Sequence, residues 1–138
     1  MHRLYSAADA LTSKVIGAAV EVHRVLGPGL LESIYEKCLL RELELRGIPA
    51  TSQQKIRIEY KDLVFEESLR FDILVHECLL VEVKAVESVL PVHKAIAFSY
   101  MKLLDAPVGL IINFHEEKLV DGVSRLYLPG TNRSDNSP

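Results

Sequence analysis

The sequence predicts an α/β fold in which helices flank a mixed central sheet. Three segments place apolar residues at helical spacing, and three consecutive segments between the second and third of them have the pattern of strands. A further run, residues 108–114, is apolar over most of its length, which is typical of a strand buried on both faces. The predicted order is therefore two helices, a three-stranded antiparallel meander, a helix, a strand and a last edge strand.

The composition is that of an ordinary globular protein. The chain has 138 residues, of which 49% are hydrophobic and 25% are charged, and this length suits one domain, which we place at residues 1–128. No apolar run approaches the roughly 20 residues that span a bilayer, and the first residues lack a signal-peptide core, so we expect a cytoplasmic protein. We expect the polar residues 129–138 to form a disordered tail.

The charge and the cysteines exclude some classes of function. A net charge of −3 does not suit nonspecific coating of nucleic acid, so any nucleic-acid contact must come from a local basic patch. Cys38 and Cys78 lack the spacing of a metal site, and we expect both to be reduced thiols without a functional role.

The two N-terminal helices are predicted over residues 9–26 and 30–46. Gly27-Pro28-Gly29 ends the first helix, and Gly47 ends the second. Glu32 lies in the first turn of the second helix, where an acidic side chain normally offsets the helix dipole. The helical pattern alone therefore gives Glu32 no further role.

The first two strands follow these helices. Residues 54–60 alternate between apolar and charged side chains, and Lys61-Asp62 has the composition of a turn. The second strand begins at residues 63–65, and we expect an interruption at Glu66-Glu67 before it continues toward Asp72.

The C-terminal elements are a helix and two strands. Pro91 suits the start of a helix over residues 92–104, which ends at Asp105-Ala106-Pro107. Residues 120–128 are predicted to form the last strand, at an edge of the sheet. A second subunit could cover this edge, so a homo-oligomer is expected.

The second and third strands form a hairpin whose register decides where its charges lie. If His76, Glu77 and Cys78 make a three-residue connection, Val75 lies opposite Leu79 and Asp72 lies opposite Glu82. A two-residue connection would send the two carboxylates to opposite faces of the sheet. We predict the three-residue connection.

Asp72 and Glu82 are then candidate metal ligands. Two carboxylates directly across a ladder repel each other unless a cation lies between them, and Lys84, two residues along the same face, compensates only in part. Oxygen ligands of this kind suit Mg²⁺ or Mn²⁺. The alternative is that all three side chains are ordinary solvated charges on an exposed strand face.

The chain resembles the PD-(D/E)XK nuclease superfamily, through Asp72 on the second strand and Glu82-Val83-Lys84 on the third. The segment from Gly29 to Tyr35 matches the signature of the GxxExxY protein family within that superfamily, and further blocks extend the resemblance over about residues 11–128. The resemblance implies a restriction-endonuclease-like core.

The resemblance also implies a nuclease site. Asp72 and Glu82 would bind Mg²⁺ or Mn²⁺ together with the carbonyl of Val83, and Glu32 would approach the same ion directly or through water. Lys84 would lie beside the attacking water. The implied reaction is metal-assisted hydrolysis of phosphodiester bonds in DNA or RNA.

The predicted groove includes one departure from the family. Ile96 occupies the position where related nucleases often carry a glutamine, and isoleucine neither orients water nor binds phosphate. His93 and Tyr100 match the family's usual residues and would line the groove with Tyr35, although a surface histidine and a core tyrosine are the alternative readings. The candidate phosphate contacts are Lys55, Arg57, Arg70, Lys94 and Lys102.

Two hypotheses remain after the sequence is considered. The first is a divalent-metal-dependent nuclease, which is favoured by three carboxylates gathered around one lysine. The second is a catalytically silent nuclease fold that serves as a self-assembling or nucleic-acid-binding module. The net negative charge and Ile96 favour this second hypothesis.

Overall fold

The computed structural model describes residues 1–131, which form a five-stranded sheet with helices on both faces. The elements in chain order are α1 (Tyr5–Leu26), α2 (Glu32–Leu45), β1 (Ala50–Tyr60), β2 (Leu63–Val75), β3 (Leu79–Lys84), α3 (Pro91–Leu104), β4 (Val108–Asn113), a 3₁₀ turn (Leu119–Gly122) and β5 (Val123–Tyr127).

The sheet is mixed, and its strand order is β1-β2-β3-β4-β5. β3 and β4 are parallel because α3 crosses over between them, and the other neighbours are antiparallel. This arrangement confirms the predicted α/β class and is consistent with a restriction-endonuclease-like fold.

Two apolar clusters, one on each face of the sheet, hold the helices in place. α1 and α2 pack on the face that carries Val81 and Val83, and α3 packs on the face that carries Leu80. Since side chains alternate along a strand, Glu82 shares the α3 face with Leu80. Gly109 of β4 allows α3 to approach closely, because a Cβ there would lie 2.8 Å from the sulfur of Met101.

The predicted register of the β2–β3 hairpin is confirmed. Val75 pairs with Leu79, and the ladder continues through Ile73 opposite Val81. The connection contains His76, Glu77 and Cys78, and the first two residues have φ values of 49° and 60°. The ladder ends at the Ile73–Val81 pair, and the same register continued by one residue would set Asp72 opposite Glu82.

β1 and β2 form a long hairpin, and its strands are less interrupted than the sequence suggested. The predicted break at Glu66-Glu67 is wrong, because Glu66 pairs with Arg57 and Glu67 pairs with Ile56 in a continuous ladder. This part of the hairpin is largely exposed, so charged side chains on a regular strand cost little there.

A bulge interrupts the β1–β2 ladder next to Asp72. Thr51 pairs with Leu74 and Gln53 pairs with Arg70, so one residue of β1 spans three residues of β2. Bulges bend a strand and redirect its side chains, and they are frequent beside active sites. Asp72 is the central residue of this bulge.

Several element boundaries differ from those predicted. α1 begins at Tyr5, one turn before the predicted start, and is the longest helix with 22 residues. No helix within residues 1–131 is both long and apolar enough to cross a membrane. The predicted strand 120–128 is divided into the 3₁₀ turn and β5, which lies at the sheet edge as expected.

The predicted tail falls mostly outside the described residues. Its first part ends in a turn at Thr131, whose side chain is buried and whose carbonyl accepts a hydrogen bond of 2.8 Å from the backbone N–H of His2. Residues 132–138 are not among those the structure describes.

Candidate functional site

A groove of about 430 Å³ opens where β2 and β3 diverge beyond the Ile73–Val81 pair. It brings together four residues singled out from the sequence as site residues, namely Arg70, Asp72, Glu82 and Lys84, and Tyr100 joins them from α3. The remaining lining residues are Glu36, Ser52, Gln53, Phe71 and Ile96.

The carboxylates of Asp72 and Glu82 are neighbours in this groove. Both residues directly adjoin the last ladder pair, Ile73 with Val81, and Asp72 Oδ2 accepts a hydrogen bond of 2.7 Å from the backbone N–H of Val83. Glu82 is 7% exposed, and its Oε1 is buried without a hydrogen-bond partner. Such an orphan is costly, so it marks a place where a further group is expected.

The pKa of Glu82 also indicates that its negative charge is unfavourable beside Asp72. Burial, followed by the negative charge of Asp72, raises the pKa of Glu82 from its ordinary value of 4.5 to about 8, while Lys84 opposes the shift. Glu82 is therefore largely protonated near neutral pH in the protein without a bound cation.

The residues at this point fit a hard divalent cation. Asp72 and Glu82 supply carboxylate oxygens, one of them unpartnered and buried, and Mg²⁺ commonly takes only one or two protein carboxylates and keeps several waters. Within residues 1–131, no cluster of three or more His, Cys, Asp or Glu side chains is arranged to hold an ion. A cation here would therefore complete its shell with other oxygens, such as those of water, phosphate or the backbone.

Glu32 contacts Lys84, and it is absent from the groove lining. Lys84 Nζ lies 3.8 Å from Glu32 Oε1, and the lysine side chain is only 21% exposed. The family resemblance implies that Glu32 approaches the metal directly or through water, and in the structure its carboxylate lies against the lysine ammonium. Glu32 is thus in a position to orient Lys84.

Glu36 lines the groove, although it was not predicted from the sequence as a site residue. It lies one helical turn after Glu32. Burial raises its pKa above the ordinary value, and the charges of Asp72 and Glu32 add to the shift. The four-residue spacing from Glu32 was the available signal, because it places both acids on the same side of α2.

The end of β3 is held in place by the end of β4. The side-chain amide of buried Asn113 bonds both the N–H and the carbonyl of Val86, at 3.0 and 2.8 Å. The backbone N–H of Phe114 donates to the carbonyl of Lys84 at 2.8 Å. These bonds fix the backbone that carries Lys84, a role for Asn113 that its place in an apolar strand does not indicate.

Tyr35 does not reach the groove, although it was predicted to bind substrate. Its ring is fully buried and stacks on Phe114 with 4.5 Å between centroids. Its hydroxyl donates to the carbonyl of Gly27 at 2.5 Å and accepts from the backbone N–H of Leu30 at 3.1 Å. The hydroxyl therefore ties the α1–α2 loop to α2 and has no free face for a ligand.

His93 is likewise absent from the groove lining. Its Nδ1 accepts a hydrogen bond of 2.9 Å from the backbone N–H of Leu90, so the side chain closes the first turn of α3. Tyr100 is half-buried and lines the groove, and Ile96 beside it is 48% exposed.

Of the five candidate phosphate contacts, Arg70 is the one that lines the groove. Its exposed side chain lies at the groove beside Asp72. Lys55 and Arg57 lie farther along the β1–β2 hairpin, and Lys94 and Lys102 lie on α3. All four of these side chains are exposed and outside the groove lining.

Comparisons with known proteins identify the family. A family model described as the PD-(D/E)XK nuclease superfamily matches residues 9–126. Searches of curated proteins and of solved structures gave no significant match. The matched range covers most of the chain and includes every residue of the groove. The chain belongs to the PD-(D/E)XK nuclease superfamily.

Proposed function

We propose that the protein is a divalent-metal-dependent nuclease that hydrolyses phosphodiester bonds in nucleic acid, and that it belongs to the GxxExxY family. Membership of the nuclease superfamily suggests nuclease activity and a nucleic-acid substrate. The observation that carries the proposal is the Asp72–Glu82 pair, in which a buried carboxylate oxygen has no partner.

Asp72 and Glu82 are the proposed cation ligands, with the Val83 carbonyl as a further oxygen. Bound Mg²⁺ or Mn²⁺ would supply a more acidic water and would offset charge on the phosphate. The backbone N–H of Val83 holds the side chain of Asp72 in place. The Asp72 carboxylate is therefore already oriented before any cation binds. Glu36 adds negative charge to the same groove.

Lys84 has a separate role in the proposal. Its ammonium lies at the groove and would stabilise the charge that develops on the phosphate during displacement. Glu32 holds this ammonium through the 3.8 Å ion pair and is a positioning residue in the proposal. Arg70 and Tyr100 are the proposed substrate contacts, because both line the groove.

The alternative function is a catalytically silent nuclease fold that binds nucleic acid or other copies of itself. One observation favours it: Ile96 lines the groove where related nucleases often carry a glutamine. An aliphatic side chain cannot orient the attacking water or contact phosphate. This alternative retains metal binding but predicts no turnover.

We propose in addition that residues 1–128 act as one nuclease-like domain in the cytoplasm. All five strands belong to one sheet. Cys38 and Cys78 are both free thiols, which suits a reducing compartment.

A cleavage assay tests the proposed function. Labelled single- and double-stranded DNA and RNA are incubated with Mg²⁺, Mn²⁺ or EDTA, using the wild type, Lys84→Ala and the exposed control Lys118→Ala. We expect metal-dependent cleavage that falls by about 100-fold or more in Lys84→Ala and is unchanged in the control. Metal-independent cleavage, or full activity of Lys84→Ala, would overturn the mechanism, and metal binding without cleavage would support the silent fold.

A further inference from the structure

The outer edge of β1 is a long strand edge without a neighbour within residues 1–131. β1 has 11 residues, and its only strand partner in the described sheet is β2. From Gln53 to Tyr60 it contains neither a proline nor a bulge, and most of these residues are exposed. Natural proteins usually shorten, bend or cover such an edge, because it presents backbone hydrogen-bonding groups to other chains.

The side chains along this edge alternate in a self-complementary way. Ile56, Ile58 and Tyr60 share one face, and Arg57 and Glu59 share the other, where their side chains form an ion pair of 3.2 Å. The apolar face continues onto β2, since Phe65 pairs with Ile58 and Leu63 pairs with Tyr60. Three of these apolar side chains are exposed, namely Tyr60 at 63%, Leu63 at 54% and Phe65 at 39%.

We propose that β1 pairs with β1 of a second copy of this chain, antiparallel and centred on Ile58. In that register, Arg57 of each copy faces Glu59 of the other copy, so the same favourable charge pair occurs twice. Ile56 faces Tyr60, and Ile58 faces its own counterpart, so the apolar faces coincide. The dimer would have one continuous ten-stranded sheet, five strands from each copy.

The register centred on Ile58 pairs residues 56–60 of the two strands, and within those five residues every charged contact joins Arg57 to Glu59; Lys55 would face Lys61, which lies beyond the end of β1. Centring on Arg57 places that residue against its own counterpart, and centring on Ile56 places Arg57 against Lys55. Centring on Glu59 places two glutamates together. Sliding one strand by a single residue against the other would set the apolar face of one strand beside the charged face of the other. Like charges directly opposite each other destabilise a pair of strands.

This dimer differs from the oligomer expected from the sequence, which relied on the opposite edge of the sheet. The proposed register pairs residues 56–60 of β1, a length equal to that of β5, so the side chains and not the strand length favour β1. The inference is also independent of the proposed nuclease function, because Arg57 and Glu59 lie outside the groove lining.

Charge exchange between two variants tests the pairing. Sedimentation equilibrium is measured on the wild type, Arg57→Glu, Glu59→Arg and an equimolar mixture of the two variants. We expect a wild-type dimer, and a dimer about tenfold weaker for each variant alone, because each creates two like-charge contacts. In the mixture, dimers return to wild-type strength, since each introduced charge then faces an opposite one.

Lys55→Glu tests the register as a matched change on the same strand face. In the proposed pairing, position 55 faces Lys61 of the other copy, so this variant dimerises at least as well as the wild type. If the pairing were centred on Arg57, position 55 would face Glu59 and the dimer would weaken.

Circular dichroism and thermal unfolding of each variant establish that the fold is retained. A wild type that stays monomeric at the highest concentration measured would overturn the proposal. Variants that dimerise like the wild type, or a mixture that does not recover, would overturn it as well.

Discussion

Replacing Glu82 with glutamine should stabilise the metal-free protein, and the gain should grow as the pH rises. Glutamine has the shape of a protonated glutamate and cannot ionise. The wild-type side chain is 7% exposed and faces the Asp72 carboxylate, so its ionised form is unfavourable in the folded state. The substitution removes that unfavourable form and keeps the packing.

The magnitude follows from the pKa of Glu82, which the fold raises from 4.5 to about 8. Between these two pH values the folded protein holds a proton that the unfolded chain releases, so the stability of the wild type falls as the pH rises through this window. The contribution is fully present below pH 4.5 and is lost above pH 8. At about 1.4 kcal/mol per pH unit, the loss is on the order of 5 kcal/mol.

Urea unfolding in EDTA, repeated between pH 5 and pH 9, measures this effect. We expect the unfolding free energies of the wild type and Glu82→Gln to be close at pH 5 and to separate by several kcal/mol at pH 9. The exposed Glu117→Gln variant serves as the control and should follow the wild type. Added Mg²⁺ should then stabilise the wild type at high pH more than Glu82→Gln.

Parallel pH profiles for the wild type and Glu82→Gln would refute this reasoning. Such profiles would mean that Glu82 ionises in the folded protein as readily as in the unfolded chain. The carboxylate pair would then impose no strain that a cation could relieve.

Four further predictions concern the site and its surroundings. Tyr35→Phe should lower the unfolding free energy by about 1 kcal/mol in urea, because it removes the hydroxyl that bonds the partly buried N–H of Leu30 and carbonyl of Gly27, while Mn²⁺ affinity stays unchanged. Ile96→Gln should raise kcat/KM for cleavage, since it supplies the amide found in related nucleases; a decrease would exclude that role. Glu32→Gln should lower kcat without weakening Mn²⁺ binding, whereas Glu36→Gln should weaken Mn²⁺ binding in calorimetry.

The positions of Asp72, Glu82 and Lys84 could be predicted because they depend on local rules. A three-residue hairpin connection fixes the strand register, and the alternation of side chains then fixes the face. The bulge at Asp72 could not be predicted in this way. It depends on how β1 pairs with β2, and the sequence of β2 gives no local sign of it.

The roles of Glu32 and Glu36 could not be separated from the sequence. Both lie on the same side of α2, and the docking of that helix on the sheet decides which acid lines the groove. Docking is a tertiary property that helical periodicity does not specify. Tyr35 shows the same limit, because its spacing from Gly29 identifies a motif and leaves open whether the hydroxyl faces a ligand or the protein.

The strand errors have a different physical origin. Glu66 and Glu67 suggested a break because charged pairs are rare in buried strands, yet this hairpin is exposed and Arg57 lies across from Glu66. The last strand was predicted from residue 120, whereas a 3₁₀ turn that ends at Gly122 precedes it. A Cβ at that position would lie 2.3 Å from the carbonyl oxygen of Asn113, so glycine serves a close backbone approach.

Calorimetric titration of Mn²⁺ near neutral pH tests most directly whether Asp72 and Glu82 together hold a divalent cation. We predict that the wild type binds Mn²⁺, that Asp72→Asn binds at least tenfold more weakly, on the order expected for a lost ligand, and that the exposed control Asp62→Asn matches the wild type. A wild type that does not bind Mn²⁺, or an Asp72→Asn variant that binds it with unchanged affinity, would contradict the proposed site.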